Sequence, residues 1–226
     1  MGTYFESGDI GRLVLLMGGS SLGFFQAISF TFLTFCGLDL YFKISEIKKQ
    51  KTGFDNEVLP NHDSLVITPE EVNKIKLNIV YLEKNGVKNE LNDFIKKACT
   101  QYRNENSVVE TLHVLDSHVS NQKEVKESAL ENVRYSISAN MSVGFIGTLI
   151  GLSVAIGKSY LSKTDEGMEE LTNYLYVAFD TTLVALVFGI IINFLYHQYI
   201  GVLDSFYANA KTYIVDRLIS KIYKGG

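Results

Sequence analysis

Residues 142–157 read SVGFIGTLIGLSVAIG, an uncharged stretch in which small residues recur at helical spacing. One helix face, at offsets of four, three and four, carries Gly144, Thr148, Gly151 and Ala155. Gly147 and Gly151 also form a pair of the small-xxx-small type. Helices in lipid have no water-driven attraction, so their close packing depends on small surfaces of this kind. The stretch therefore predicts a membrane helix that packs tightly against another helix.

A second uncharged stretch repeats this design further along the chain. One helix face, at offsets of four, three, four and four, carries Ala178, Thr182, Ala185, Gly189 and Asn193. If the two antiparallel helices enter the membrane near Asn140 and near Asn173, Thr148 and Thr182 each lie about 12 Å deep. We therefore expect the two hydroxyls near the middle of the membrane at similar depth, where they suggest a polar lining.

Three charge-free runs, of 26, 23 and 23 residues, cover residues 13–38, 135–157 and 181–203. Each run is long enough for a helix to cross a hydrocarbon core of about 30 Å. The averages conceal this pattern, because the chain of 226 residues is only 46% hydrophobic and its mean hydropathy is +0.10. The first run is too long for a signal peptide and follows an acidic start, so we interpret it as a retained anchor. Three crossings leave too few apolar residues for a large soluble core.

We predict an all-α membrane protein with three transmembrane helices and long helices that extend into a cytoplasmic helical domain. Lys and Arg flank the crossings mainly beside the central domain and the tail, which places the N-terminus outside and the C-terminus in the cytoplasm. The predicted order is an outer N-terminal segment (1–12), a first transmembrane helix (13–42), a cytoplasmic helical domain (43–134), a second transmembrane helix (135–160), a short outer loop (161–171), a third transmembrane helix (172–199) and a cytoplasmic C-terminal helix (200–226).

The central domain carries clear helix signals. Thr68 and Glu71 form a capping box around Pro69, and Asn85-Gly86 supplies a stop. Apolar residues then follow at helical spacing, interrupted by a polar break at 104–106, and we expect the helix after that break to continue into the second crossing. After the third crossing, an a/d rhythm predicts that the helix continues into the cytoplasmic layer: Ile200, Leu203, Tyr207, Ala210 and Ile214.

Several classes of function are excluded or disfavoured. The net charge is −4 with no basic block, so nucleic acid is not an expected partner. Cys36 and Cys99 are too far apart to suggest a disulfide framework or a metal site. No nucleophile–base pair and no phosphate-binding loop is visible, so we expect neither an enzyme nor a cofactor.

Asp180 is the one carboxyl within an otherwise apolar stretch, and it lies either inside the membrane as a functional group or near the outer headgroups.

Residues 144–152 (GFIGTLIGL) and 178–186 (AFDTTLVAL) together resemble the MotA/TolQ/ExbB proton-channel family. The resemblance covers roughly residues 130–220, and three crossings with a large first loop resemble the TolQ/ExbB branch. It implies that Thr148 and Thr182 face an ion path, and the ion-pathway candidates are Thr148, Thr181, Thr182 and Asp180. The candidates for pore lining and helix packing are Gly144, Gly147, Gly151, Ala155, Ala178, Ala185, Gly189 and Asn193. One departure is Val177, where TolQ and ExbB carry a glutamate, and Asp180 either substitutes for it or marks a separate subfamily.

The resemblance also implies an assembly. Members of the family form a homopentamer around two copies of a single-pass ExbD/TolR/MotB-like protein in the bacterial inner membrane, and H⁺ or Na⁺ flow drives rotation or force. The expected function is therefore that of an ion-driven motor or stator subunit, with lipid as its surroundings. Two alternatives remain open on the sequence alone, namely a passive helical scaffold or adaptor and a self-sufficient ion channel. The sequence leaves the biological output open among import, envelope maintenance, motility and defence.

Overall fold

The computed structural model describes residues 23–56, 58–60 and 66–222, and nearly all of these are helical. The helices are α1 (Gly23–Lys51), α2 (Pro69–Lys84), α3 (Glu90–Glu105), α4 (Val108–Ser128), α5 (Glu131–Gly157) and α6 (Asp165–Arg217), with short 3₁₀ turns at Thr52–Asn56, Ser159–Lys163 and Ile219–Lys221. Within the part of the chain that the structure describes, three helical stretches are long and apolar enough to cross a membrane: Gly23–Phe54, Val108–Gly157 and Asp165–Lys221. The prediction of an all-α protein with three membrane-spanning helices is confirmed. The predicted outer segment and the start of the first crossing lie outside the described residues.

Among the described residues, one compact unit contains residues 23–41 together with Leu130–His197. Within it, α5 and the first part of α6 form an antiparallel hairpin. Near the start of α5, Nη2 of Arg134 donates a hydrogen bond to the Tyr196 hydroxyl at 2.8 Å. At the other end of α5, Nζ of Lys158 donates to Oε1 of Glu170 at 2.7 Å. These two contacts join α5 and α6 at both ends of the hairpin.

The second compact unit contains the described residues of Phe42–Ala129 together with residues 198–222. Its core confirms the predicted apolar stripes, because most of their members are buried: Leu91, Phe94, Ile95, Ala98, Tyr102, Leu115, Val119, Leu203, Tyr207, Ala210 and Ile214. Leu112 has the helical spacing of the predicted stripe after the polar break at 104–106, but it is 38% exposed. Polar contacts tie the end of α6 to this core, since the Tyr207 hydroxyl donates to Glu90 at 2.8 Å and Lys123 pairs with Asp204 at 2.9 Å.

The predicted helix ends of the second unit are confirmed. Thr68 and Glu71 form the capping box of α2, with Pro69 in its first turn. Gly86, which follows the C-cap Asn85, has a φ of 88°. Asn106 ends α3 with a φ of 52°, a left-handed conformation that asparagine adopts more readily than most residues.

Two helix boundaries differ from the expectation. The helix expected to run without interruption into the second crossing turns at Ala129 and Leu130, and the Ala129 carbonyl accepts a hydrogen bond from Lys43 at 3.2 Å. Most of the predicted outer loop is helical, because α6 begins at Asp165. The Thr164 hydroxyl accepts the Gly167 amide at 3.2 Å, which is an N-cap contact. A charged run after a capping threonine thus begins a helix rather than a loop.

Cys99 provides a labelling test of the second unit. Its side chain is 1% exposed, and burial raises the pKa of its thiol to about 12. Because the thiolate is the reactive form, N-ethylmaleimide at neutral pH should modify Cys99 only after unfolding. Peptide mapping by mass spectrometry measures this, with Val109→Cys as the accessible control, since Val109 is 73% exposed. Labelling of Cys99 in the folded protein as fast as that of the control would contradict the packing described.

Candidate functional site

The site is built on a contact in which α5 and α6 approach closely at Gly144. A Cβ atom placed on Gly144 would overlap the Cβ of Ala185 and lie 3.1 Å from the carbonyl oxygen of Thr181. One turn further along α5, a Cβ on Gly147 would lie 2.7 Å from Oγ1 of Thr181 and 3.2 Å from the ring of Phe25. Only glycine fits at these two positions, so the small-residue face brings the two backbones together.

Three threonine hydroxyls meet at this close approach. Oγ1 of Thr148 contacts Oγ1 of Thr182 directly, and the sequence spacing had predicted a similar depth for this pair. The Ala178 carbonyl accepts Thr148 at 2.8 Å, and the Gly144 carbonyl accepts Thr182 at 3.0 Å. Thr181 donates to the same Ala178 carbonyl at 2.8 Å. The contact therefore concentrates hydroxyls and carbonyl oxygens at one level of the hairpin.

The three threonines differ in how far they are exposed. Thr181 is 1% exposed and lies inside the helix contact. Thr148 and Thr182, which together form the threonine pair, are only half-buried. Part of each of these two residues therefore remains accessible in the described chain.

The threonine pair can bind either a donor or an acceptor. Each hydroxyl carries one proton and two lone pairs. When both protons are directed to the Gly144 and Ala178 carbonyls, the two hydroxyl oxygens keep lone pairs that can accept a proton donor. When one hydroxyl rotates away from its carbonyl, it can donate to an external carboxylate. The pair can therefore bind a carboxyl group in both of its protonation states without a fixed charge of its own.

The remaining predicted residues fall into three groups. Inside the unit, the structure buries Gly144, Gly147, Gly151, Ala155, Ala178, Ala185 and Gly189. Asp180 is half-buried. Asn193, which the spacing placed on the same face as Ala185 and Gly189, is exposed. The small-residue faces are thus brought together over most of their length, and Asn193 lies outside that contact.

One buried polar residue was not predicted as part of the site. Asn140 is 0% exposed, and its Nδ2 donates to the Ala185 carbonyl at 2.8 Å. The sequence analysis used Asn140 only as the point at which the second crossing enters the membrane. The signal was its spacing, because it lies four residues before Gly144 and eight before Thr148 on the same helix face.

The described residues contain no group of three or more His, Cys, Asp and Glu side chains that could hold a metal ion. The groups that meet at the α5–α6 contact include the Asn140 amide, the threonine hydroxyls and the carbonyls that accept them.

Comparison with known proteins gives one match. A family model described as the MotA/TolQ/ExbB proton channel family matches residues 87–210, which is more than half of the chain. This range includes α5, the threonine pair and most of α6. No curated protein and no solved structure matches the chain.

Proposed function

The chain belongs to the MotA/TolQ/ExbB proton channel family, and from this premise we propose that it is the ring-forming subunit of an ion-driven membrane motor. In this proposal, a proton or Na⁺ crosses the membrane beside the threonine pair, and its passage drives rotation or force. The observation that carries the proposal is the direct contact of the Thr148 and Thr182 hydroxyls, half-buried at a glycine-dependent helix crossing.

The position of the threonine pair suits an ion path. Thr148 lies near the middle of the charge-free run 135–157, so its hydroxyl is far from both ends of that crossing. Polar groups inside the membrane are costly to keep unless they are paired or functional. The two hydroxyl protons bond either to the Ala178 and Gly144 carbonyls or within the pair, and both residues are only half-buried. A contact that served packing alone could be buried completely, as Thr181 is.

The moving charge would be supplied by a partner. Each ring would surround two copies of a single-pass ExbD/TolR/MotB-like protein, whose membrane helix carries an aspartate that takes up and releases the ion. The threonine pair would contact that carboxyl group in both protonation states. One charge that moves through 100 mV supplies about 2.3 kcal/mol. This is enough to bias a step between equivalent sites, provided that the ring surface is smooth, as small residues allow.

A ring of five copies does not match the symmetry of the two helices that it surrounds. This mismatch in symmetry would convert binding into stepwise rotation. The described helices have apolar surface available for contacts with neighbouring copies or lipid, since Phe145, Leu183 and Ile190 are each more than half exposed. In this proposal the ring lies in the bacterial inner membrane, with the N-terminus of each chain in the periplasm and the C-terminus in the cytoplasm.

Copurification tests the assembly. The chain is expressed together with the proteins encoded on either side of it, and the purified membrane complex is weighed by native mass spectrometry. We expect a short protein with one N-terminal crossing that contains an Asp, at a stoichiometry of five chains to two. A stable complex of any other composition, or a chain that purifies without such a protein, would refute the motor assignment.

A further inference from the structure

The second compact unit contains a cavity of about 420 Å³ between the end of α1 and the last turns of α6. Lys51, the last residue of α1, and Phe54, in the 3₁₀ turn that follows, form one wall. Residues between 209 and 217 of α6 form the other wall. Small-molecule sites in proteins occupy cavities of about 300–1,000 Å³, so this cavity has the size of a ligand site.

Two aromatic rings form the apolar part of the cavity wall. The rings of Phe54 and Tyr213 meet edge to face, with their centroids 5.5 Å apart and their planes at 88°. The Phe54 ring also contacts the ring of the buried Phe206, at 6.0 Å between centroids. Phe54 and Tyr213 are nevertheless only half-buried. Their neighbours therefore hold the two rings in place, and part of each ring remains accessible to a flat ligand, which aromatic rings favour as a neighbour.

Two cations flank these rings. The guanidinium of Arg217 lies over the Tyr213 ring, with Cζ 4.9 Å from the ring centroid. Lys51 lines the cavity from the side of α1. Each cation lies in the last turn of its helix, where the carbonyl end of the helix stabilises a positive charge. Among the described side chains, no carboxylate forms an ion pair with Lys51 or Arg217.

Two further polar side chains of α6 line the same cavity, namely Thr212 and Asp216. The Thr212 hydroxyl can donate or accept a hydrogen bond, whereas the Asp216 carboxylate accepts only. One carboxylate beside two cations leaves an excess of positive charge in the wall. The cavity therefore suits an anionic group near the cations, together with hydroxyl or amino donors near the carboxylate.

We propose that this cavity binds a small molecule that combines a flat aromatic ring with an anionic group, and that a nucleoside monophosphate represents this class. The aromatic ring packs against Phe54 and Tyr213. The phosphate accepts hydrogen bonds from Lys51 and Arg217, since a guanidinium group can form two parallel bonds with phosphate oxygens. A sugar hydroxyl donates to Asp216. The ligand is bound without being transformed, and the inference does not rest on the proposed function.

Binding of AMP to the purified full-length chain in detergent tests the site. Isothermal titration calorimetry measures the Kd of AMP and, separately, the Kd of adenosine and of inorganic phosphate. We expect AMP to bind at least about tenfold more tightly than either fragment, because only AMP can contact the rings and the cations together. A chain that binds none of the three, or that binds AMP no more tightly than inorganic phosphate, would overturn the site.

Variants of the two cations locate the binding. Arg217→Gln should raise the Kd of AMP about tenfold, the factor expected for the loss of one charge-assisted hydrogen bond. Lys51→Gln should have a similar effect, and it keeps the test valid if Arg217→Gln does not fold. Arg103→Gln is the matched control, because Arg103 is an exposed arginine in the last turn of α3 and does not line the cavity. A Kd in both cavity variants equal to that of the control would overturn the site.

A cryo-microscopy map of the assembled protein with AMP provides a second readout. We expect additional density between Phe54 and Arg217 that is absent from a map without AMP. A cavity filled by a side chain of a neighbouring copy or of another protein would overturn the site. Neither the calorimetry nor the map requires ion flux, so failure of this site would leave the proposed function standing.

Discussion

A chain with valine at both Thr148 and Thr182 is expected to assemble normally and to lose most of its ion flux. Valine has nearly the shape of threonine, so the glycine-dependent contact of α5 with α6 remains filled. The two hydroxyls and their bonds to the Gly144 and Ala178 carbonyls disappear. A hydrogen bond to a charged group contributes about 1.5–3 kcal/mol, so we expect the flux to fall about tenfold or more.

The flux is measured with a pH dye in liposomes that contain the complex. Thr31→Val/Thr34→Val is the matched control, because both hydroxyls lie in α1 and donate to the carbonyl four residues before them, at 2.9 and 2.6 Å. This control should retain the unmodified flux. Thr148→Ser/Thr182→Ser should also conduct, because serine restores the hydroxyls. Flux in the double valine variant equal to that of the control would contradict the assigned role of the pair.

The second large effect is expected from Gly144→Ala. The new methyl group would overlap the Cβ of Ala185, which is bound directly to the backbone and cannot rotate away. The helices must then separate, which lengthens the bond from Thr182 to the Gly144 carbonyl. Overpacking costs about 2 kcal/mol, which corresponds to a fall in Tm of roughly 4–8 °C for a chain of this size. Thermal unfolding in detergent, followed by circular dichroism, measures the shift.

A compensating change makes this prediction specific. Ala185→Gly in the Gly144→Ala background moves the methyl group from one helix to the other and should restore most of the lost Tm. Gly37→Ala is the control, because no described atom lies within 4 Å of a Cβ built there and alanine favours a helix. A Gly144→Ala chain as stable as the Gly37→Ala chain would show that the helices do not approach closely at this point.

The hairpin was predictable because strong patterns specify it, whereas the direct contact of the two hydroxyls was not predicted. The charge-free runs predict the crossings, and the offsets of small residues predict which faces pack together. Matching Thr148 and Thr182 in depth required only the rise of a helix and two estimates of where the crossings begin. An error of one or two residues in those estimates moves a side chain by only about 3 Å along the axis, so the predicted match in depth does not depend on the exact boundaries.

Other features depended on contacts that no local pattern reveals. The break at Ala129 is accompanied by a hydrogen bond from Lys43, which is 86 residues away in the chain. Asn193 has the spacing of a residue that packs between the helices, but it is exposed. Whether it is buried depends on how far along α6 the contact with α5 extends, which the spacing does not reveal. The role of Asn140 in the helix contact became visible only when its amide was found against Ala185. The start of α6 could have been predicted, because Thr164 is a typical N-cap residue. The charged run that follows it is more typical of a loop, and a loop was therefore predicted.

The most direct test of the central claim is a cryo-microscopy structure of the chain in complex with its single-pass partner. The central claim is that the threonine pair lines the ion path. We predict that Thr148 and Thr182 of each copy face the interior of a ring and that the partner's membrane aspartate lies beside one such pair. A structure in which the threonine pair faces lipid, away from the partner's helices, would contradict the claim.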